Sequence, residues 1–139
     1  MVEEVGGRGE RWLPFVLVVL GGCLGTAFRA SLSDYFPADA GGWPWATFAI
    51  NLVGALLLGF MLGLLARFGE DSGWRRRVRL GVGTGVLGGF TTYSTFAVEV
   101  VERQRDSASL LGVGYALTSV IGGVVLATLG LVLGRGARR

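Results

Sequence analysis

Four long stretches without a charged residue restrict what this chain can fold into. They cover residues 12–28, 40–66, 80–98 and 107–134. A run of about 18 apolar residues is long enough to cross a bilayer as a helix. Only 17% of the chain is charged, whereas soluble domains carry about 25%. We therefore predict an all-α membrane protein that consists of one integral membrane domain with four transmembrane helices. The predicted helices span residues 12–33, 44–67, 74–104 and 107–134.

The basic residues are divided unequally between the two sides of the membrane that four crossings would create. Ten of the 13 lie on the side that holds both termini and the central connection. The other three are Arg29, Arg103 and Arg105. Because cytoplasmic segments carry an excess of basic residues, this bias predicts a multi-pass plasma-membrane protein with mainly cytoplasmic tails. It also accounts for the isoelectric point near 9.8 without nucleic acid as a partner.

The third charge-free stretch contains the most unusual sequence. Gly81, Gly85 and Gly89 are spaced four apart, which leaves one helix face bare for a close neighbour. Hydroxyl side chains follow at once and compete with the helix for backbone hydrogen bonds. We therefore predict that the third helix breaks near residues 88–92. Such a break is tolerated in a membrane where it is buried in protein or lines a polar cavity, so it marks a candidate ion site.

Uncharged polar side chains occur at depth in the other predicted helices. Asn51 lies within a charge-free run of 27 residues, and Tyr115 and Ser119 are four residues apart. Two interpretations stay open for each of them: a hydrogen bond between helices, or a donor that lines a pore. Arg29, near the far end of the first helix, either snorkels to lipid headgroups or ties down an adjacent helix end.

The reactive groups of the sequence argue against an enzyme. The chain has no histidine and one cysteine, which disfavours nucleophile–base pairs and transition-metal sites. Hydroxyl, amide and aromatic-edge groups suit a small, hard anion. Backbone carbonyls at a helix break suit a hard cation such as Na⁺. Since four short helices are too few to enclose a roomy pathway, we expect a dimer, with the face of Gly81, Gly85 and Gly89 as its candidate centre.

Three parts of the sequence resemble the Fluc/CrcB fluoride channels. They are residues 88–96 (GGFTTYSTF), Asn51, and residues 21–29 (GGCLGTAFR). The resemblance covers all four predicted helices. It implies a passive, fluoride-selective channel that lowers cytoplasmic fluoride and assembles as an antiparallel dual-topology dimer in the lipid bilayer. It also implies a central structural Na⁺, held by the backbone carbonyls of Gly88 and Thr91 from both subunits.

The same resemblance assigns the residues of the fluoride pore. They are Asn51, Tyr93, Ser94, Thr95, Phe96, Tyr115 and Ser119. The chain departs from the family at Tyr93, where the family has Phe, and at Gly123, which offers no hydroxyl at the last position of the polar track in the fourth helix. A tyrosine keeps the ring edge and adds a hydroxyl group, so we expect function to survive with altered permeation.

Alternatives for assembly and function stay open at this point. The strong basic bias favours a single orientation, so a heterodimer with a related, oppositely oriented subunit is an alternative to the expected homodimer. A small four-helix multidrug exporter would need a carboxylate within the membrane for proton coupling, and the first predicted helix has none. A non-transporting structural subunit would use every polar residue only for contacts between helices.

Overall fold

The computed structural model describes residues 8–37, 42–105 and 108–136, and these residues form helices without any strand. In chain order the elements are α1 (Arg8–Tyr35), α2 (Trp45–Ala66), α3 (Gly73–Val78), a π-helical segment (Arg79–Leu87), α4 (Gly88–Phe90), α5 (Tyr93–Arg105) and α6 (Ser109–Arg135). The predicted all-α class is therefore confirmed.

Three of these helices are long and apolar enough to cross a membrane. The spans are Trp12–Tyr35, Trp45–Ala66 and Ser109–Arg135. Many large apolar side chains on them are exposed in the single chain, as expected for surfaces that contact lipid or another subunit. The structure is thus that of a multi-pass membrane protein. The third predicted helix, over residues 74–104, is not among these spans because it is interrupted.

The interruption lies at Thr91 and Thr92, within the interval that the hydroxyl cluster predicts. The backbone of Thr91 is extended, with φ −75° and ψ 156°, and helix resumes at Tyr93. Before the break, residues Arg79–Leu87 form a π-helix, in which hydrogen bonds join residues five apart. The sequence did not predict this wider winding, since competing hydroxyl groups signal where a helix ends but not the register of its hydrogen bonds.

The glycine face of the third helix packs against α1 of the same chain. A Cβ atom on Gly85 would lie 3.0 Å from the Cα of Gly21, and one on Gly89 would lie 3.0 Å from the Cα of Gly22. The face that also includes Gly81 is therefore occupied by α1. The prediction that this face forms the centre of a dimer is wrong, because the close approach that the glycines permit is used within the chain.

The helices α2 and α6 form a second tightly packed pair. A Cβ atom on Gly59 would collide with the carbonyl oxygen of Ala127, and one on Gly130 with that of Leu56. Lipid tails are as apolar as leucine, so helices in a bilayer associate through such close packing rather than through the hydrophobic effect. The other face of α2 borders the π-helical segment, α4 and α5, which places Asn51 beside the break.

Candidate functional site

Asn51 of α2 holds the break through two hydrogen bonds to a single residue. Its Oδ1 accepts from the backbone N–H of Thr92 at 2.8 Å, and its Nδ2 donates to the carbonyl oxygen of Thr92 at 3.0 Å. A side-chain amide offers the same donor and acceptor as a peptide group, so it replaces the helical partners that Thr92 lacks. We call this pair of contacts the Asn51 clamp.

Thr92 also caps the helix that follows the break. Its Oγ1 accepts a hydrogen bond from the backbone N–H of Thr95 at 3.2 Å, which is the contact of an N-cap residue with the third helical residue. The same hydroxyl donates to Oγ1 of Thr95 at 3.0 Å and lies 3.3 Å from Oγ of Ser94. The predicted pore residues Ser94 and Thr95 therefore belong to a hydroxyl cluster at the start of α5.

The break opens onto a groove with a volume of about 380 Å³. Six of the predicted site residues line it: Asn51, Gly88, Thr91, Tyr93, Phe96 and Ser119. The Oγ atom of Ser119 is buried and has no hydrogen-bond partner in the part of the chain that the structure describes. Leaving a buried hydroxyl unpaired is costly, so Ser119 is a candidate donor for a ligand.

Two aromatic rings stand at one wall of this groove. The ring centroids of Tyr93 and Phe96 are 6.0 Å apart. The ring centroid of Phe96 also lies 5.2 Å from that of Tyr115. Tyr93 is 81% exposed in the single chain. Because the edge of an aromatic ring carries positive partial charge, this wall can face an anion.

The carboxylate of Glu99 joins three helices behind the rings. Its Oε1 accepts from the hydroxyl of Thr47 at 2.7 Å, and its Oε2 accepts from the phenol of Tyr115 at 2.8 Å. Tyr115 is fully buried and does not line the groove. Sequence reasoning missed Glu99 as a site residue. The spacing could have indicated it, because Thr47 lies one helical turn before Asn51 and Glu99 lies one helical turn after Thr95. Each pair therefore shares one face of its helix.

Arg103, one turn beyond Glu99, is only 4% exposed. Its guanidinium donates to the carbonyl oxygen of Gly42 through Nε at 2.9 Å and Nη2 at 2.7 Å, and to that of Glu99 through Nη1 at 2.7 Å. It therefore fastens the connection before α2 onto α5. Its burial was not predicted because main-chain carbonyl partners leave no signature in a sequence.

Arg29 of α1 contacts the last helical turn before the break. Its Nε donates to the carbonyl oxygen of Gly89 at 3.3 Å, and the hydroxyl of Thr26 reaches the same oxygen at 3.4 Å. This carbonyl is among those that a helix end leaves without intrahelical partners. The geometry favours a tie to an adjacent helix end over snorkelling to the lipid headgroups.

The break also frees the carbonyl oxygen of Gly88. In a continuous α-helix it would accept from the N–H of Thr92, which is instead bonded to Asn51. Gly88 is exposed, and the nearest atom that a Cβ would meet there is 3.8 Å away. Thr91 is the other residue whose carbonyl is predicted to bind the cation. Its hydroxyl donates to the carbonyl oxygen of Leu87 at 3.1 Å. Free main-chain oxygens of this kind are the ligands that hard cations prefer.

The described residues thus form an all-helical membrane domain whose broken helix faces a groove with polar groups, which is an arrangement typical of ion sites in membrane proteins. Residues 16–131 match the model of the family described as CrcB-like protein, Camphor Resistance (CrcB). The chain belongs to this family, and the resemblance seen in the sequence is confirmed.

Curated relatives of the chain are named as fluoride channels. The chain is 53% identical over 111 residues to fluoride-specific ion channel FluC 1 of Cutibacterium acnes, with 80% of this chain and 78% of the relative covered. It is 47% identical over 126 residues to FluC 2 of Leifsonia xyli subsp. xyli, with coverage of 89% and 86%. For FluC of Mesorhizobium japonicum the identity is 41% over 122 residues, with coverage of 86% and 94%. These names are those of channels, which confirms the expectation that the chain is not an enzyme.

Proposed function

We propose that this chain is a fluoride-selective, passive channel of the plasma membrane that lowers cytoplasmic fluoride. The observation that carries the proposal is the Asn51 clamp, which holds a break in a membrane helix open toward a groove. The fluoride-specific names of relatives that share up to 53% identity support the choice of ion.

Fluoride is a small anion that holds its water strongly, so a pathway must replace that water with donors and positive ring edges. In our proposal the rings of Tyr93 and Phe96 form one side of the pathway. The hydroxyl of Ser119, which has no partner among the described residues, and the amide of Asn51 supply donors on the other side. The hydroxyls of Ser94 and Thr95 serve the anion at the start of α5, where the helix dipole is positive.

The role of Tyr115 in this pathway differs from that of the groove residues. Its phenol donates to Glu99, and its ring lies 5.2 Å from that of Phe96. We therefore propose that Tyr115 supports the pore by holding the Phe96 ring and orienting the carboxylate. Its own proton is directed away from the groove.

A second subunit completes the pathway in this proposal. The groove is open along one side, and Tyr93 would contact lipid if nothing covered it. We propose an antiparallel, dual-topology homodimer in which the broken segment from α3 to α5 makes a fourth crossing. The subunit contact lies along the groove, since α1 occupies the face of Gly81, Gly85 and Gly89.

A heterodimer with a related subunit is the second candidate. Ten of the 13 basic residues lie on the side that we propose to be cytoplasmic, together with both tails. A bias of this size favours one orientation, whereas a dual-topology homodimer requires both orientations from the same sequence.

The carbonyl oxygens of Gly88 and Thr91 would hold the structural Na⁺ in this proposal. The fit rests on the Gly88 carbonyl, which loses its helical N–H partner to the Asn51 clamp, and on the open space around that residue. Bound there, Na⁺ would supply a fixed positive charge between the two subunits. Two residues of this chain would shape the site. Asn51 fixes the backbone of the break, and the extended backbone of Thr91 keeps its carbonyl out of the helix.

Reconstitution of the purified chain alone tests the function and the assembly together. Liposomes loaded with potassium fluoride should release fluoride to an external electrode when a potassium ionophore balances the charge. Efflux from the single chain supports the homodimer. A folded chain without efflux that becomes active when a related subunit is added would support the heterodimer, and inactivity in both cases would contradict the channel.

A further inference from the structure

Four arginines lie at the start of the third helix, and two of them are engaged by neighbouring residues. Arg75 donates to the Oγ of Ser72 at 3.3 Å and to the carbonyl oxygen of Glu70. Arg79 forms an ion pair with Asp71 at 2.7 Å. The hydrogen bond from Arg79 lowers the pKa of the Asp71 carboxyl, so this pair stays ionised. Both positive charges therefore have local partners.

The other two arginines, Arg76 and Arg77, are exposed and make no hydrogen bond or ion pair with any of the side chains that the structure describes. The charge of Arg76 also contributes to the lowered pKa of Asp71. Both arginines line a pocket of about 230 Å³ between α1 and the start of the third helix. The remaining wall of the pocket is mostly apolar and consists of Leu13, Pro14, Leu17, Gly73 and Leu80. The pocket thus combines two exposed guanidinium groups with an aliphatic surface.

Exposed aromatic residues near this pocket favour a position at the boundary between lipid and water. Trp12 and Phe15 lie in the same region of α1 as the leucine wall, and Trp74 precedes the arginine pair by two residues. Tryptophan is enriched at this level of a membrane. The span of α1 also begins here, at Trp12. A ligand in the pocket would have its charged part in the headgroup layer and its apolar part against the leucines.

We propose that this pocket binds an anionic phospholipid. Arg76 and Arg77 would contact the headgroup phosphate, and Leu13, Leu17 and Leu80 would contact the first methylenes of an acyl chain. Guanidinium groups bind phosphate oxygens through paired hydrogen bonds as well as by charge. The aliphatic wall favours a lipid over a soluble anion, which would leave that wall without a partner.

The affinity expected from the two arginines is large enough to measure. An arginine near an anionic membrane surface strengthens association by roughly fivefold, so both together would contribute roughly 30-fold. The lipid would contact α1 and the third helix at once. It would therefore also stabilise the packing of the glycine face that positions the break.

Lipid retention by the purified full-length chain in detergent tests the proposal. Native mass spectrometry would compare phosphatidylglycerol with phosphatidylcholine of the same acyl chains. We expect wild type to retain phosphatidylglycerol at least tenfold better. The double variant Arg76→Gln/Arg77→Gln should lose this preference, whereas Arg76→Lys/Arg77→Lys should keep part of it. The matched control Arg105→Gln/Arg135→Gln removes the same charge elsewhere and should behave as wild type.

Three results would overturn the lipid site. Equal retention of the two lipids by wild type would do so without any variant, and this comparison decides the question if the glutamine variant does not fold. Equal loss in the control variant would show attraction by net charge alone. Displacement of phosphatidylglycerol by millimolar inorganic phosphate would show a site for free anions.

Discussion

Replacement of Asn51 by aspartate separates the structural and the conducting roles of the clamp. In Asn51→Asp, one oxygen can still accept from the N–H of Thr92, where the distance is now 2.8 Å. The second oxygen replaces the donor that lies 3.0 Å from the Thr92 carbonyl, so a hydrogen bond becomes a contact between two acceptors. An unpaired, sheltered carbonyl costs about 1–3 kcal/mol, and an ionised carboxylate in a sheltered site also loses hydration, so we expect a loss of unfolding free energy of at least this size.

The added negative charge should also slow conduction. A carboxylate about 4 Å from fluoride, at an effective dielectric constant of about 20, repels it by about 4 kcal/mol. This energy corresponds to roughly a thousandfold slower passage. In Asn51→Ala no charge is added, but both backbone groups of Thr92 lose their partner. The alanine variant should therefore also be less stable than wild type, but it should be the better conductor of the two.

Fluoride efflux from proteoliposomes, normalised to folded protein, and thermal unfolding followed by tryptophan fluorescence measure the two quantities. Thr128→Val is the matched control, because the hydroxyl of Thr128 bonds within its own helix, to Val124 at 2.8 Å. It should leave both quantities unchanged. An aspartate variant that conducts at the wild-type rate, or an alanine variant that is as stable as wild type, would refute this account of Asn51.

Other predictions concern the rings, the carboxylate and the cation. Phe96→Ile removes the ring that lies 5.2 Å from Tyr115 and should abolish fluoride flux while size-exclusion chromatography shows an unchanged assembly; flux at the wild-type level would remove Phe96 from the pore. Tyr115→Phe removes the hydrogen bond to Glu99 and should lower the free energy of unfolding by about 1–3 kcal/mol, which chemical denaturation measures; an unchanged stability would contradict the role of that contact. Replacement of Na⁺ on both sides by a large organic cation should slowly silence efflux, and flux that does not depend on sodium would count against Gly88 and Thr91 as cation ligands.

The helices and the break were predictable because they depend on local properties. Length and lack of charge mark a membrane helix, and the predicted range 44–67 differs from α2 (Trp45–Ala66) by one residue at each end. Likewise, hydroxyl residues after paired glycines indicate where side chains compete with the helix for backbone hydrogen bonds. Thr91 and Thr92 lie at such a position. The π-helical winding of Arg79–Leu87 depends on the fit of the third helix against α1, which no local pattern encodes.

The partners of the polar residues were less predictable because they come from different helices. Spacing showed that Gly81, Gly85 and Gly89 permit a close approach but did not show that α1 is the neighbour. Glu99 lacked an obvious partner in the sequence, since its contacts to α2 and α6 arise only when these helices pack. Asn51 makes the hydrogen bond between helices that one of its two interpretations predicts, and it also borders the groove.

Paired efflux of fluoride and chloride from liposomes that contain the purified chain tests the central claim most directly. Donors and ring edges that replace the water shell of a small, hard anion should pass fluoride and reject the larger chloride. We predict rapid release of fluoride and no release of chloride above the protein-free background. Equal release of both anions, or release of neither from a well-folded protein with or without a related subunit, would contradict the account.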